Sequence, residues 1–403
     1  WQMVLPLVIT MLLFSFVGKI VGEEAKKSEQ VKPIVVIDND HSSSSSAVLQ
    51  TLKDVKFEPK IYKTSLDESI ANAKKDKISA LVVIPEGFES GITAGKPQKI
   101  EAYTILKSFS MIGSRDALVL KSAILAINDY VSNQIIASGI KDIDPKDVKN
   151  PVQLVDHVII GDKIAEASPE AVMNFVSSQT TFIPIILFMV IIFAAQMIAT
   201  AIATEKENKT LETLLSTPVS RKAIVSAKML GAGVVAALMA VVYMFGFRSY
   251  MDGLTGGATS NTSAVSDAVM NSLGLSFSTG DYVLLGLSLF GAIIAALSVA
   301  LILGSFAEDS KSVQGLITPL MILIMIPYFF SLFLDVNTIS PVMKYVIYAI
   351  PFSHPFLAGP NIFLGNYSAV IYGAIYEIVV FIIFVLIAAK IFESDKIMTL
   401  KLN

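Results

Sequence analysis

The apolar residues of this chain gather in long blocks instead of the stripes of an amphipathic helix or strand. The blocks are Trp1–Val21, Phe182–Thr204, Ala223–Phe247, Tyr282–Phe306, Val313–Leu334 and Val370–Ile391. Each is close to the ~20 apolar residues that cross the hydrocarbon core of a bilayer, so about six membrane spans are predicted. Residues 23–178, between the first two blocks, have the mixed pattern of a soluble domain. There Ile34–Asp38 reads as a strand, and the serines Ser42–Ser46 run into the helically spaced Ala47–Leu52 as a capped helix start. Phe57–Lys63 alternates as a strand, Leu66–Lys75 has the look of a surface helix, and Ala80–Phe88 reads as a buried strand ended by a turn. Ile100–Ile105 and Ser114–Ser138 add a strand and a long helix. Such alternation predicts an α/β layer, partly parallel. One further apolar stretch, Pro341–Pro351, is too short to cross. A segment over 338–358 is therefore expected to enter the membrane and turn back.

Charge orients the spans. Lys206, Lys209, Arg221, Lys222 and Lys228 flank the connection between the second and third blocks, Lys311 lies between the fourth and fifth, and Lys390, Lys396 and Lys401 follow the last. The opposite connections, Met251–Asp281 and Asp335–Ser368, offer Lys344, with Arg248 at one edge. Basic loops stay cytoplasmic, so both termini are expected there and residues 23–178 outside. No basic region precedes the first block, which predicts a span rather than a signal peptide, its cytoplasmic lead-in lying beyond this sequence. Hydrophobic residues make up 53% and charged residues 16%, against ~25% charged in soluble domains. The net charge of −3 and the lack of a basic run leave no footprint for nucleic acid.

Catalytic and metal chemistry is thinly supplied. Cysteine is absent, and the histidines His41, His157 and His354 are scattered. Neither a disulfide framework nor a zinc-hydrolase pair is expected. No Gly-x-x-x-x-Gly-Lys-Ser/Thr loop occurs, and Gly95-Lys96-Pro97 and Gly256-Gly257 lack its phosphate-cradling spacing. ATP hydrolysis, with its ATP and magnesium, would then belong to a partner. Ser353-His354 has no acid at a recognisable spacing, a weak basis for an intramembrane enzyme.

The most specific segment is Glu205–Arg221, wedged between two spans. On a helix, Leu211, Leu214 and Leu215 share one face, while Glu205, Glu207 and Glu212 put negative charge near its amino end. Thr217-Pro218 stops it and Ser220 can cap the next helix. Tied at both ends to membrane spans, it is a lever that a soluble partner can push. Its pattern Glu-x-x-Thr-Leu-Glu-x-Leu-Leu-x-x-Pro-Val-Ser-Arg, from Glu207 to Arg221, resembles the cytoplasmic coupling segment of ABC-2 type transporter permeases. Ile37-Asp38, the serine-rich helix and Val82-Val83-Ile84-Pro85-Glu86-Gly87-Phe88 resemble the external domain of the same family.

That resemblance covers nearly the whole chain. It implies an α-helical polytopic membrane protein of the ABC-2, type V exporter-like fold, with its first helix over 1–22. A large α/β extracytoplasmic domain over 23–178 and a transmembrane domain over 179–403 would follow, the latter with a coupling helix at 204–217 and a re-entrant loop before the last helix. It implies that Glu205, Glu207, Thr210, Leu211, Glu212, Leu214, Leu215, Pro218 and Arg221 couple to a separate ABC ATPase subunit. A second permease copy, identical or paralogous, would complete the complex in the plasma membrane, and this chain would bind no cofactor itself. The external domain and coupling pattern look most like the sodium-export, NatB-like branch. Exporters of lipids, peptides and drugs share the layout, as do non-transporting receptors and secretion scaffolds.

Polar residues inside the spans complete the inventory. Glu377 lies ~10 Å below the predicted outer edge of the last span, where a carboxylate costs up to roughly 2.5–3.5 kcal/mol. It reads either as a pathway or cation-handling group or as a neighbour of the outer headgroups beside Tyr372 and Tyr376. Gln196, Thr200 and Thr204 form a stripe that either lines a path or ties helices together by hydrogen bonds worth about 1 kcal/mol each. Gly231, Gly233, Gly286 and Gly291 suit close helix packing. Asn261 and Asn366 head Asn-x-Ser/Thr triplets on the expected outer side.

Overall fold

The computed structural model describes residues 32–106, 115–137, 151–210, 220–256, 267–334 and 339–393, with isolated positions at 11, 15, 18, 19, 22, 148 and 336. Apart from such isolated positions, the predicted first span lies outside the described residues. The chain divides into a polar unit, Val21–Ser177 with Gly257–Ser276, and an apolar unit, Trp1–Ile20, Ser178–Gly256 and Phe277–Asn403.

The polar unit is built on six strands: β1 (Lys32–Asp38), β2 (Phe57–Ile61), β3 (Ala80–Ile84), β4 (Gln98–Leu106), β5 (Val152–Ile160) and β6 (Lys163–Glu166), in the order β2-β1-β3-β4-β5-β6. β1 runs parallel to β2 and β3, and β4 to β5; β3–β4 and β5–β6 are antiparallel. Successive side chains of β1 serve opposite cores. Ile34 and Val36 pack with α1 (Ser43–Asp54), α3 (Phe88–Thr93) and α4 (Arg115–Ala137), whereas Val35 and Ile37 pack with α2 (Leu66–Lys75). Coverage of both faces explains why β1 and β3 read as unbroken apolar runs.

Three local features carry physical lessons. The serine run is a cap: Ser45 N donates to Ser42 Oγ at 3.1 Å and Ser42 N to Ser45 Oγ at 3.0 Å, which satisfies amides at the start of α1. Phe88 opens α3 instead of ending a strand, after a left-handed turn at Gly87 (φ 77°). The β5–β6 hairpin was not anticipated, because Gln153, Asp156 and His157 break the apolar pattern of β5. His157 is accommodated by stacking on Tyr103 of β4, ring centroids 4.5 Å apart.

The apolar unit contains α5 (Pro169–Glu207, from Ser178 on), α6 (Arg221–Gly256), α8 (Thr279–Phe306), α9 (Val313–Phe333) and α12 (Tyr367–Glu393). Among the described residues these are the five helices long and apolar enough to cross a membrane. The helix between α6 and α8, α7 (Asp267–Leu273), falls instead in the polar unit and packs on β6. The boundary expected at 179 therefore misses a return of the chain, because the buried Met270 and Leu273 sit far along the sequence from their sheet. The segment expected to turn back folds as α10 (Pro341–Ala349) and α11 (Ser353–Phe363), running past 358.

α8 is the hub. In its most apolar window 67% of residues are buried, against 22–39% in the other four helices. Lipid tails are as apolar as leucine, so helices associate in a bilayer through close contact more than through the hydrophobic effect. α8 permits that contact with Gly286, Gly291, Ala292, Ala295, Ala296 and Gly304. A methyl group on Gly304 would lie 2.7 Å from the carbonyl oxygen of Ala199, so α5 and α8 meet backbone to backbone. Buried serines close bonds on their own helix: Ser298 and Ser305 donate to the Ala295 and Ile302 carbonyls, each at 2.7 Å. Gly304→Val is expected to overpack this seam by about 1–3 kcal/mol and to lower the thermal midpoint in detergent. Gly231→Ala, with nothing within 4 Å, is expected to leave it unchanged; equal losses would show that the seam is not what Gly304 protects.

Candidate functional site

The helix predicted over 204–217 does not begin at Thr204. Thr204–Glu207 form the last turn of α5, and the chain then turns. Asn208 N donates to Thr204 O at 3.0 Å, Lys209 N to Lys206 O at 3.1 Å, and Lys209 takes a left-handed conformation, φ 55°. Thr210 Oγ1 donates to Glu205 O at 2.9 Å, satisfying one of the carbonyls left open at a helix end. A left-handed residue ends a helix whatever apolar spacing follows it in sequence, so that spacing alone could not mark the break. Leu211, Glu212, Leu214, Leu215 and Pro218 lie outside the described residues, and Arg221 is the first residue of α6.

The acids at this end are engaged within the chain. Glu205 pairs with Lys228 of α6, whose side chain is 14% exposed. Lys206 Nζ donates to the Ser305 carbonyl of α8 at 3.1 Å. Glu207 Oε2 accepts from both Ser310 N and Ser310 Oγ at 3.1 Å. Ser310 belongs to the α8–α9 turn, where Ser312 N donates to Asp309 Oδ1 at 2.8 Å and Asp309 N to Ser312 Oγ at 3.3 Å. The Ser312 amide holds the Asp309 carboxyl below the usual carboxylate range. Three consecutive residues of α5 thus fasten it to α6, to α8 and to the α8–α9 turn. The sequence supplied these charges but not their partners.

Glu377 occupies a different environment. It lies ten residue steps from the start of α12, or ~15 Å at 1.5 Å per residue, and is 0% exposed. Protein encloses it, which removes the headgroup reading. Among the described residues neither carboxylate oxygen has a hydrogen-bond partner. It packs against Gly291 of α8, where an added methyl group would sit 2.6 Å from Oε2. On the preceding turn of α12, Gly373 faces His354 of α11, and Tyr376 donates to the Ala349 carbonyl at 2.7 Å. Two more buried hydroxyls in this unit, Ser288 of α8 and Tyr243 of α6, also have no hydrogen-bond partner among the described residues. Ser288 precedes Gly291 by three residues and so shares its face of α8. Nothing in the sequence marks Ser288, since Ser298 and Ser305 stand in equally apolar runs and bond to their own helix.

The remaining candidates separate from Glu377. Gln196 and Thr200 are half-buried on α5, flanking the Ala199 contact with Gly304. Gly304 is thirteen residue steps from Gly291, ~20 Å along α8, so these polar groups and the carboxylate do not meet. Ser353 Oγ donates to the Ile350 carbonyl at 2.7 Å, and His354 Nε2 to that of Tyr348 at 3.2 Å. Both side chains serve backbone carbonyls at the α10–α11 junction. Among the described residues no cluster of acids and histidines could hold a metal ion.

These features sit in an established family. The model of the family described as "ABC-2 family transporter protein" matches residues 1–390. The chain belongs to the ABC-2 transporter family. It is accordingly a multi-pass membrane protein and the membrane component of a transporter. No curated protein matches it. Among solved structures, a crystallised domain reported for an ABC type-2 transporter from Thermotoga maritima MSB8 is 21% identical over 37% of this chain and 100% of its own, with a TM-score of 0.32. That likeness is too slight to bear on the fold.

In this ABC-2 chain an unpartnered buried carboxyl is a stability burden of ~1–3 kcal/mol. Glu377→Met, of similar volume, is therefore expected to raise the thermal midpoint in detergent. A lower midpoint would show that the carboxyl finds a partner in the native protein.

Proposed function

We propose that this chain is the permease of an ATP-driven exporter, worked by a separate ABC ATPase that grips the segment from Thr210 to Pro218. The observation that carries this reading is the fastening at the carboxyl end of α5. A push on residues 210–218 bears directly on Glu205, Lys206 and Glu207, and through them on α6, α8 and the α8–α9 turn. A ligand state shifts a conformational equilibrium only through contacts that differ between states, and this ion pair and these hydrogen bonds are where such a difference would act. In this reading the fastened end faces the cytoplasm, residues 23–178 lie outside, and a second permease copy completes the path. The absence of a phosphate-binding loop from the sequence supports assigning ATP and magnesium to the partner.

For the cargo, Glu377 favours a small cation such as sodium over an apolar compound. A carboxylate enclosed by protein near mid-membrane, against a residue without a side chain, supplies charge with little competition from water. Export of a lipid, peptide or drug would leave that burden unexplained.

The test co-expresses the chain with its ATPase and reconstitutes the pair in proteoliposomes. Leu214→Asp is expected to weaken ATPase co-purification roughly tenfold or more, the effect of a charge placed in an apolar contact, with the spans still folded. Glu377→Gln is expected to keep the ATPase and lose sodium-stimulated hydrolysis. Normal complex formation by Leu214→Asp, or cleavage of residues 210–218 by protease added outside sealed, right-side-out vesicles, would overturn the permease mechanism. Unchanged sodium stimulation in Glu377→Gln would overturn the cation reading alone.

A further inference from the structure

Two grooves flank α6, and the one between α6 and α8 is proportioned for a lipid. It has a volume of 480 Å³, with Val241 and Phe245 of α6 facing Leu287 and Phe290 of α8 across it. Its floor is the place where the helices touch, since a methyl group on Gly286 would lie 3.1 Å from Met244 Cγ. The polar lining groups, Arg248, Thr279 and Tyr282, gather at one end. Ala237 marks the opposite, wholly apolar end on α6, as Phe290 does on α8.

Length discriminates between occupants. From Ala237 to Arg248 on α6, and from Phe290 to Thr279 on α8, the groove covers eleven residue steps, or ~16 Å at 1.5 Å per residue. That is half of the ~30 Å hydrocarbon core, the depth of one leaflet. A spanning helix, from a second copy or from the first apolar block, would need a seam about twice as long. A groove that stops near mid-membrane, with its cation at the headgroup end, matches one acyl chain and one phosphate.

Charge points the same way. Arg248 is exposed and makes no ion pair among the described residues. Asp281, at the same end of α8, has its carboxylate committed to the Ser278 amide at 2.7 Å and to Tyr367. The guanidinium fork matches phosphate geometry. By contrast, the 590 Å³ groove between α5 and α6 is lined by Tyr250 at its end and, among the described residues, by no charged side chain.

We propose that the α6–α8 groove binds one anionic glycerophospholipid, an acyl chain along Phe245 and Leu287 and the phosphate on Arg248. The site requires only that the chain spans a membrane, whatever it transports. Such a lipid would fill the open side of the seam between α6 and the hub helix.

The test is native mass spectrometry of the full chain in detergent, titrated with phosphatidylglycerol or with phosphatidylcholine of the same acyl chains. The wild type is expected to hold one phosphatidylglycerol in preference to phosphatidylcholine. Arg248→Gln should lower phosphatidylglycerol affinity about fivefold, as expected for loss of one basic residue at a membrane surface, and leave phosphatidylcholine unchanged. Leu287→Trp, which fills the groove from an exposed position, should weaken both lipids, while Ile186→Trp in the neighbouring groove should weaken neither. Phosphatidylglycerol binding unaltered by Arg248→Gln or by Leu287→Trp would overturn the site. So would efficient cysteine crosslinking of two copies through position 245.

Discussion

The membrane unit depends on how closely its helices can approach α8. Within a bilayer, exchanging lipid contact for helix contact brings little hydrophobic gain, and dispersion forces decay steeply with distance. A seam is therefore strong where side chains are small. Gly304 lets the backbone of α5 touch α8, Gly286 receives Met244 of α6, and Gly291 receives Glu377 of α12. Three neighbours gather on one helix because it offers each of them a place without a side chain. The same device sets the depth of the α6–α8 groove, whose floor is the Gly286 contact.

Glycine at 291 also creates the chemical anomaly of the unit. It leaves room for a carboxyl group but supplies no donor, and Ser288 on the same face has itself no hydrogen-bond partner among the described residues. The acids at the end of α5 show the opposite economy. Glu205 and Glu207 are partly exposed, each has a partner, and together with Lys206 they hold three elements at one end. Satisfied polar groups at a helix end are compatible with a structural fastening that a partner can load. An unsatisfied one in the interior is a local burden of the kind that folds retain at functional positions.

The polar unit follows more familiar physics. Its strands alternate between two cores, its first helix starts on a serine capping box, and its edge hairpin absorbs a histidine by stacking it on a tyrosine. Recruitment of α7 from beyond α6 shows that the unit is not one continuous stretch of chain. A sequence boundary drawn where polarity changes cannot detect such a return, because seven residues carry too little pattern to announce their partner.

What the sequence determined by itself was set by period and composition. Block length marked the five described spans, unbroken apolar runs marked β1 and β3, alternation marked β2, capping marked α1, and the coupling pattern pointed to the family. Those features depend on residues close together in the chain. The tertiary structure decided the rest. It ended α5 at Glu207, paired Glu205 with Lys228 and Glu207 with Ser310, set Gln196 and Thr200 far from Glu377, and enclosed Glu377 against Gly291. Each of these turns on which atoms meet across helices more than fifteen residues apart in sequence, or on one backbone angle that no periodicity records. Spacing along a chain fixes which side of a helix a residue occupies, but only packing determines what stands opposite it.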